Sequence, residues 1–127
     1  MTDIRALLHR TADLAADFVA SVDDRPVSPR VTPEQLLGQL GGPLPEDPTD
    51  PEEVIERLVD AVEPGLVAIP SGRYFGFVNG GELPAALAAD WLTSAWDQNA
   101  GLYPSGPAAA VVEEVVGDWI KELLGLP

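Results

Sequence analysis

Cysteine is absent, and histidine and lysine each occur once. That excludes thiol nucleophiles, disulfides, iron–sulfur clusters and zinc sites of the usual Cys/His kind. Cations are scarce as well: seven Lys+Arg stand against 21 Asp+Glu, a net charge of −14. A nucleic-acid backbone would be repelled, because the few cations do not cluster. No long apolar run is present, since Asp3, Arg5, Arg10, Asp13 and Asp17 interrupt the first twenty residues. Neither a signal peptide nor a membrane-spanning helix is expected there, and the expected location is cytoplasmic.

What is present suits helices. The chain has 127 residues, 46% of them hydrophobic, enough for one domain of ordinary size. Ile4, Leu7, Leu8, Leu14, Ala15, Phe18, Val19 and Val22 recur at three- and four-residue steps, the spacing of one helix face. Thr32-Pro33-Glu34-Gln35 has the form of a capping box, and Asp50-Pro51-Glu52-Glu53 repeats that logic before Val54, Ile55, Leu58, Val59 and Val62. A last stripe comprises Val111, Val112, Val115, Val116, Trp119, Ile120, Leu123 and Leu124, with Gly125 placed as its C-cap. Helices are expected near 3–21, 33–40, 51–63, 84–97 and 107–124. Arg73-Tyr74-Phe75-Gly76-Phe77-Val78 reads as a short extended segment, so at most one or two short strands are expected. Pro/Gly-rich connectors fill much of the first half. Helices with broad apolar faces and few aromatics look built to lean on something else; a loose helical bundle is the alternative.

Few residues offer chemistry. His9 has no Ser or Cys pattern beside it and reads as a surface or partly packed side chain. Glu46, Asp47, Asp50, Glu52, Glu53 and Glu56 lack the spacing of a calcium loop, and Glu113 and Glu114 read as a solvated helix flank. The glycines between Gly76 and Gly81 lack the Gly-Lys-Ser/Thr ending of a phosphate loop. Ser105-Gly106-Pro107 suits an anion on free N–H groups or an ordinary cap. Lys121 sits off the apolar stripe in a last helical turn, where a cation complements the helix dipole. Asp97-Gln98-Asn99 followed by Gly101-Leu102-Tyr103-Pro104 mixes amide, carboxylate, aromatic and glycine between two apolar helices. That is the best local candidate for a ligand-facing edge.

Arg73-Tyr74-Phe75-Gly76-Phe77, then the run from Leu83-Pro84-Ala85 to Asp90-Trp91-Leu92, then Pro107-Ala108-Ala109-Ala110-Val111-Val112-Glu113-Glu114-Val115, resemble the pyridoxal-phosphate-dependent group II amino-acid decarboxylases. Asp24-Arg25-Pro26-Val27 and Asp50-Pro51-Glu52-Glu53-Val54-Ile55 fit the N-terminal segment of that family too. The resemblance covers nearly the whole chain. It implies a mainly α chain: residues 1–70 as a helical dimerisation arm, and 71–127 as a substrate-edge segment with the first helices of the large domain of a fold type I enzyme, without its main sheet. The cofactor of the family is pyridoxal phosphate, whose chemistry needs a lysine and an acid on its ring nitrogen. The resemblance places both in the large domain, so no cofactor-binding or catalytic residue is expected here, and no cofactor on this chain alone. It implies substrate-lining roles for Phe77, Val78, Asn79 and Gly80, and for Asn99 and Gly101 from a neighbouring subunit. Phe77 stands where aromatic-specific members commonly have tyrosine, and Asn99 and Gly101 where they have bulkier apolar residues. The expected function is a fragment or split part of an amino-acid decarboxylase, a carboxy-lyase, that self-associates or joins a complementing large-domain chain and meets the amino acid only once assembled. The alternative is a non-catalytic helical interaction module, or a remnant of such an enzyme.

Overall fold

A computed structural model describes residues 3–127. It contains five α-helices, α1 (Ile4–Ser21), α2 (Pro33–Leu40), α3 (Pro51–Val62), α4 (Pro84–Trp96) and α5 (Pro107–Leu124), with a single 3-10 turn at Glu63–Gly65 after α3. No strand occurs among the described residues. The chain divides into two compact units, Met1–Gly81 and Glu82–Pro127.

Local chemistry explains the helix starts. Asp3 opens α1 by accepting the N–H groups of Arg5 and Ala6 at 3.0 and 3.3 Å, using donors that the first turn would otherwise leave unpaired. At α2 the capping box is complete. Thr32 Oγ1 accepts from Gln35 N–H at 3.3 Å, and Gln35 Oε1 accepts from Thr32 N–H at 2.8 Å. Hydrogen bonds from its own backbone N–H and from the Thr32 hydroxyl hold the Glu34 carboxyl below the usual carboxylate value. At α3 the expected box is only half made, which corrects that reading. Asp50 Oδ1 accepts from Glu52 N–H at 2.9 Å, but Glu53 turns toward Arg57, 3.7 Å away, instead of back to the cap. Proline stands in the first turn of α2, α3, α4 and α5, where a missing N–H costs nothing.

The helix ends differ. Asp97 closes α4 in a left-handed conformation (φ 47°, ψ 49°), which a short polar side chain tolerates. Gly125 closes α5 at φ 63°. Its N–H donates to the Glu122 carbonyl and that of Leu126 to the Lys121 carbonyl, the paired bonds of a Schellman motif.

Within the first unit α3 is the hub, with α1 and α2 lying against it. Leu7, Thr11, Leu14, Ala15 and Phe18 form the half-buried face of α1, while Ile4, Leu8 and Val19 from the expected stripe are exposed. Arg10 bridges α1 to α3, with Nε and Nη2 both donating to Glu56 Oε1 at 3.0 and 2.9 Å. Arg25, after α1, pairs with Glu63 and lies over the Phe18 ring, 4.7 Å from its centre. Packing stops there. Among the described residues the buried apolar side chains are Val22 and Ala68, and the buried polar one is Ser71.

The second unit buries still less. α4 and α5 make no packed helix pair, and all of Val111, Val112, Val115, Val116, Trp119, Ile120, Leu123 and Leu124 are exposed. A helix takes most of its stability from packing its apolar face. Here that face is left open, as the sequence pattern led us to expect.

Candidate functional site

The expected extended segment at 73–78 is instead a turn. Asn79 N–H donates to the Gly76 carbonyl at 3.1 Å, and the two residues between, Phe77 and Val78, have φ of 52° and 57°. Positive φ at both central positions is the geometry of a mirror-image β-turn. No strand is present among the described residues for an extended segment to pair with, and the turn closes one backbone hydrogen bond locally. Phenylalanine and valine are poor choices for this region, since a Cβ crowds the backbone there and branching worsens it. Phe77 is 93% exposed and Val78 fully so.

Gly80 follows in open space, with no atom within 4 Å of where a Cβ would be. Phe77, Val78, Asn79 and Gly80 therefore form one exposed edge on the first unit. Asn99 and Gly101 belong to the second unit. Those two are joined to each other, because Asn99 Oδ1 accepts from Gly101 N–H at 2.9 Å. The amide is engaged in shaping its own loop.

That loop closes tightly. A Cβ on Gly106 would lie 2.2 Å from the Asn99 carbonyl oxygen, so only glycine fits there. Ser105 does not cap α5: its hydroxyl donates to the Leu102 carbonyl at 3.0 Å, and the cap position is Gly106 with no side-chain bond. Beside the loop runs an open groove of about 600 Å3, lined in part by Gly101, Tyr103, Glu113, Glu114, Asp118 and Lys121. Lys121 Nζ is 3.1 Å from Asp118 Oδ1 and is exposed.

A knot just before the edge at 77–80 carries no sequence signal. Ser71 Oγ donates to Asp23 Oδ1 at 2.8 Å and accepts from Arg73 N–H and Nε at 3.2 and 3.3 Å. Arg73 Nη2 donates to the carbonyls of Arg25 and Val22 at 2.6 and 3.4 Å. The partners lie about fifty positions apart in the chain, and local pattern carries no trace of such a pairing; Pro70-Ser71-Gly72 reads only as a boundary.

No protein-family model matches the chain. Tryptophan decarboxylase 1 of Oryza sativa is 30% identical over 125 residues, 98% of this chain and 24% of that protein. Tyrosine decarboxylase 2 of Narcissus pseudonarcissus is 27% identical over 124 residues, 98% of this chain and 25% of that protein. An Oryza sativa TDC structure containing PLP and tryptamine superposes with a TM-score of 0.86 at 30% identity, covering 98% of this chain and 26% of that one. The chain matches the N-terminal quarter of pyridoxal-phosphate-dependent aromatic amino-acid decarboxylases. It spans about a quarter of the length of these relatives.

The described residues do not fit the cofactor of these decarboxylases. Pyridoxal phosphate needs a lysine amine free to react and donors for a phosphate. Lys121, the single lysine, is paired with Asp118 in a groove whose other charged walls are Glu113 and Glu114. A phosphate would be repelled there. Among the described residues no group of three or more His, Cys, Asp or Glu could hold a metal ion, and no helix is long and apolar enough to cross a membrane.

Proposed function

We propose that this chain is the N-terminal part of a pyridoxal-phosphate-dependent aromatic amino-acid decarboxylase, a carboxy-lyase, and that it supplies interface and pocket edge while the cofactor chemistry resides elsewhere. The likeness to decarboxylases along nearly its whole length is the observation that carries this reading. Residues 1–70 serve as the dimerisation arm, and 71–127 as the substrate-edge segment with the opening helices of a fold type I large domain. That domain is on the same polypeptide or on another. Phe77, Val78, Asn79 and Gly80 line the side-chain end of the amino-acid site, and Asn99 and Gly101 line it from a neighbouring subunit. The assembled enzyme is cytoplasmic and takes tryptophan, tyrosine or a related amino acid; the chain alone binds no cofactor.

The open faces support the interface role. Ile4, Leu8 and Val19 on α1 and the whole stripe of α5 are exposed, and apolar area is worth roughly 25 cal/mol per Å2 when covered. The test is a chimera in which this chain replaces the matching quarter of the Oryza sativa decarboxylase. Amine formation from tryptophan or tyrosine, dependent on added pyridoxal phosphate, is the expected result. A chimera that folds and loads the cofactor yet releases no carbon dioxide from any aromatic amino acid would contradict the reading.

A further inference from the structure

Between Pro70 and Gly81 the chain leaves the body of the first unit and returns to it. At the departure Ser71 is 4% exposed and joins Asp23 to both the backbone and the side chain of Arg73. Arg73 is tied onward to the two carbonyls that follow α1. At the return Gly81 lies against Pro70, where a Cβ would come within 3.1 Å of the Pro70 Cα. The departure is therefore held by hydrogen bonds, and the return passes close against Pro70.

The interior is braced too. Tyr74 N–H donates to the Ser71 carbonyl at 3.0 Å, and the Tyr74 hydroxyl lies beside Gly76, 2.6 Å from where a Cβ would be. Between these supports sit the two residues of positive φ, Phe77 and Val78, with Phe75 and Phe77 each 93% exposed. Strained non-glycine backbone persists only where the surroundings over-determine it. The turn itself is closed by the Asn79 N–H bond to the Gly76 carbonyl, and the segment that leads into it is anchored by the bonds of Ser71 and Arg73.

The geometry points to Ser71 and Arg73 as positioning residues that hold the strained turn at 76–79 so that Phe77 and Val78 are presented, already formed, to the apolar side chain of an amino-acid substrate. This rests on the decarboxylase reading and deepens it. Neither residue touches substrate; each acts through the turn. The fork of Arg73 matters as much as its charge, because Nε and Nη2 bind different partners at once and a lysine ammonium cannot span them.

The test compares Arg73→Ala, Arg73→Lys and Ser71→Thr with the unsubstituted chain by amide hydrogen exchange in the full chain. The Tyr74 and Asn79 amides should exchange about tenfold faster in both Arg73 variants, the scale of one lost charge-assisted bond, and near the original rate in Ser71→Thr, which keeps the hydroxyl. Unchanged Asn79 exchange, or equal acceleration of every amide in the first unit, would overturn the inference. In the chimera, Arg73→Lys should raise KM for the aromatic substrate about tenfold with kcat within a factor of about two and cofactor absorbance intact. Loss of kcat and of cofactor with KM unchanged would equally overturn it. An inactive unsubstituted chimera counts against the decarboxylase reading, and the exchange comparison then decides the positioning by itself.

Discussion

Gly80 and Asn99 carry the same expected role, yet the structure gives them different surroundings. Gly80 has open space on its Cβ side, so Gly80→Val strains nothing within the chain. In the assembled enzyme it should raise KM or exclude bulky substrates, with changes of roughly ten- to two-hundred-fold between competing amino acids, the scale of about 1–3 kcal/mol for pocket fit. Thermal stability should not move. Asn99→Leu should shift preference toward more apolar side chains, but it also removes the bond to Gly101 N–H. A stability loss of about 1 kcal/mol should accompany it, readable as a lower melting temperature. An unchanged substrate ranking in both variants would return these residues to the scaffold. Lys121 allows a simpler check. Titrating pyridoxal phosphate into the chain alone should give the spectrum of the free cofactor, and a new absorbance band abolished by Lys121→Ala would refute that.

At the scale of elements, most helix limits were legible because caps are local chemistry. Thr32 with Gln35, and Gly125 after Leu124, announce their roles within four residues. Thr32→Ala should cost about 1 kcal/mol in the first unit. It should also let the Glu34 carboxyl move back up toward its ordinary value, which a proton NMR titration would show. Gly125→Ala should cost about 1 kcal/mol by forcing a Cβ into the left-handed region. The turn at 76–79 was not legible. Aromatic and branched residues favour strands wherever a partner strand exists, and the pattern of one segment does not reveal that none does. The knot around Ser71 was hidden for a related reason: its partners are far apart in sequence, and only the fold brings them together. For the candidate site, the resemblance alone names the residues of the exposed edge, whereas the Ser71 and Arg73 bonds beside it leave no mark in the sequence.

At the scale of the whole molecule, the described residues leave more apolar side chain open than a stable solitary protein tolerates. Trp119 is 63% exposed and Leu123 84%, on a helix that makes no packed pair with α4. A few hundred Å2 of such surface is worth several kcal/mol of drive toward association at roughly 25 cal/mol per Å2. The chain by itself should therefore self-associate at micromolar concentration. Sedimentation velocity of the chain, alone and mixed with a decarboxylase large domain lacking its own N-terminal quarter, tests most directly whether these faces belong against the rest of such an enzyme. The account predicts that the solitary chain sediments as associated species and that adding the large domain replaces them with one defined complex. A monodisperse monomer that ignores the large domain would contradict it.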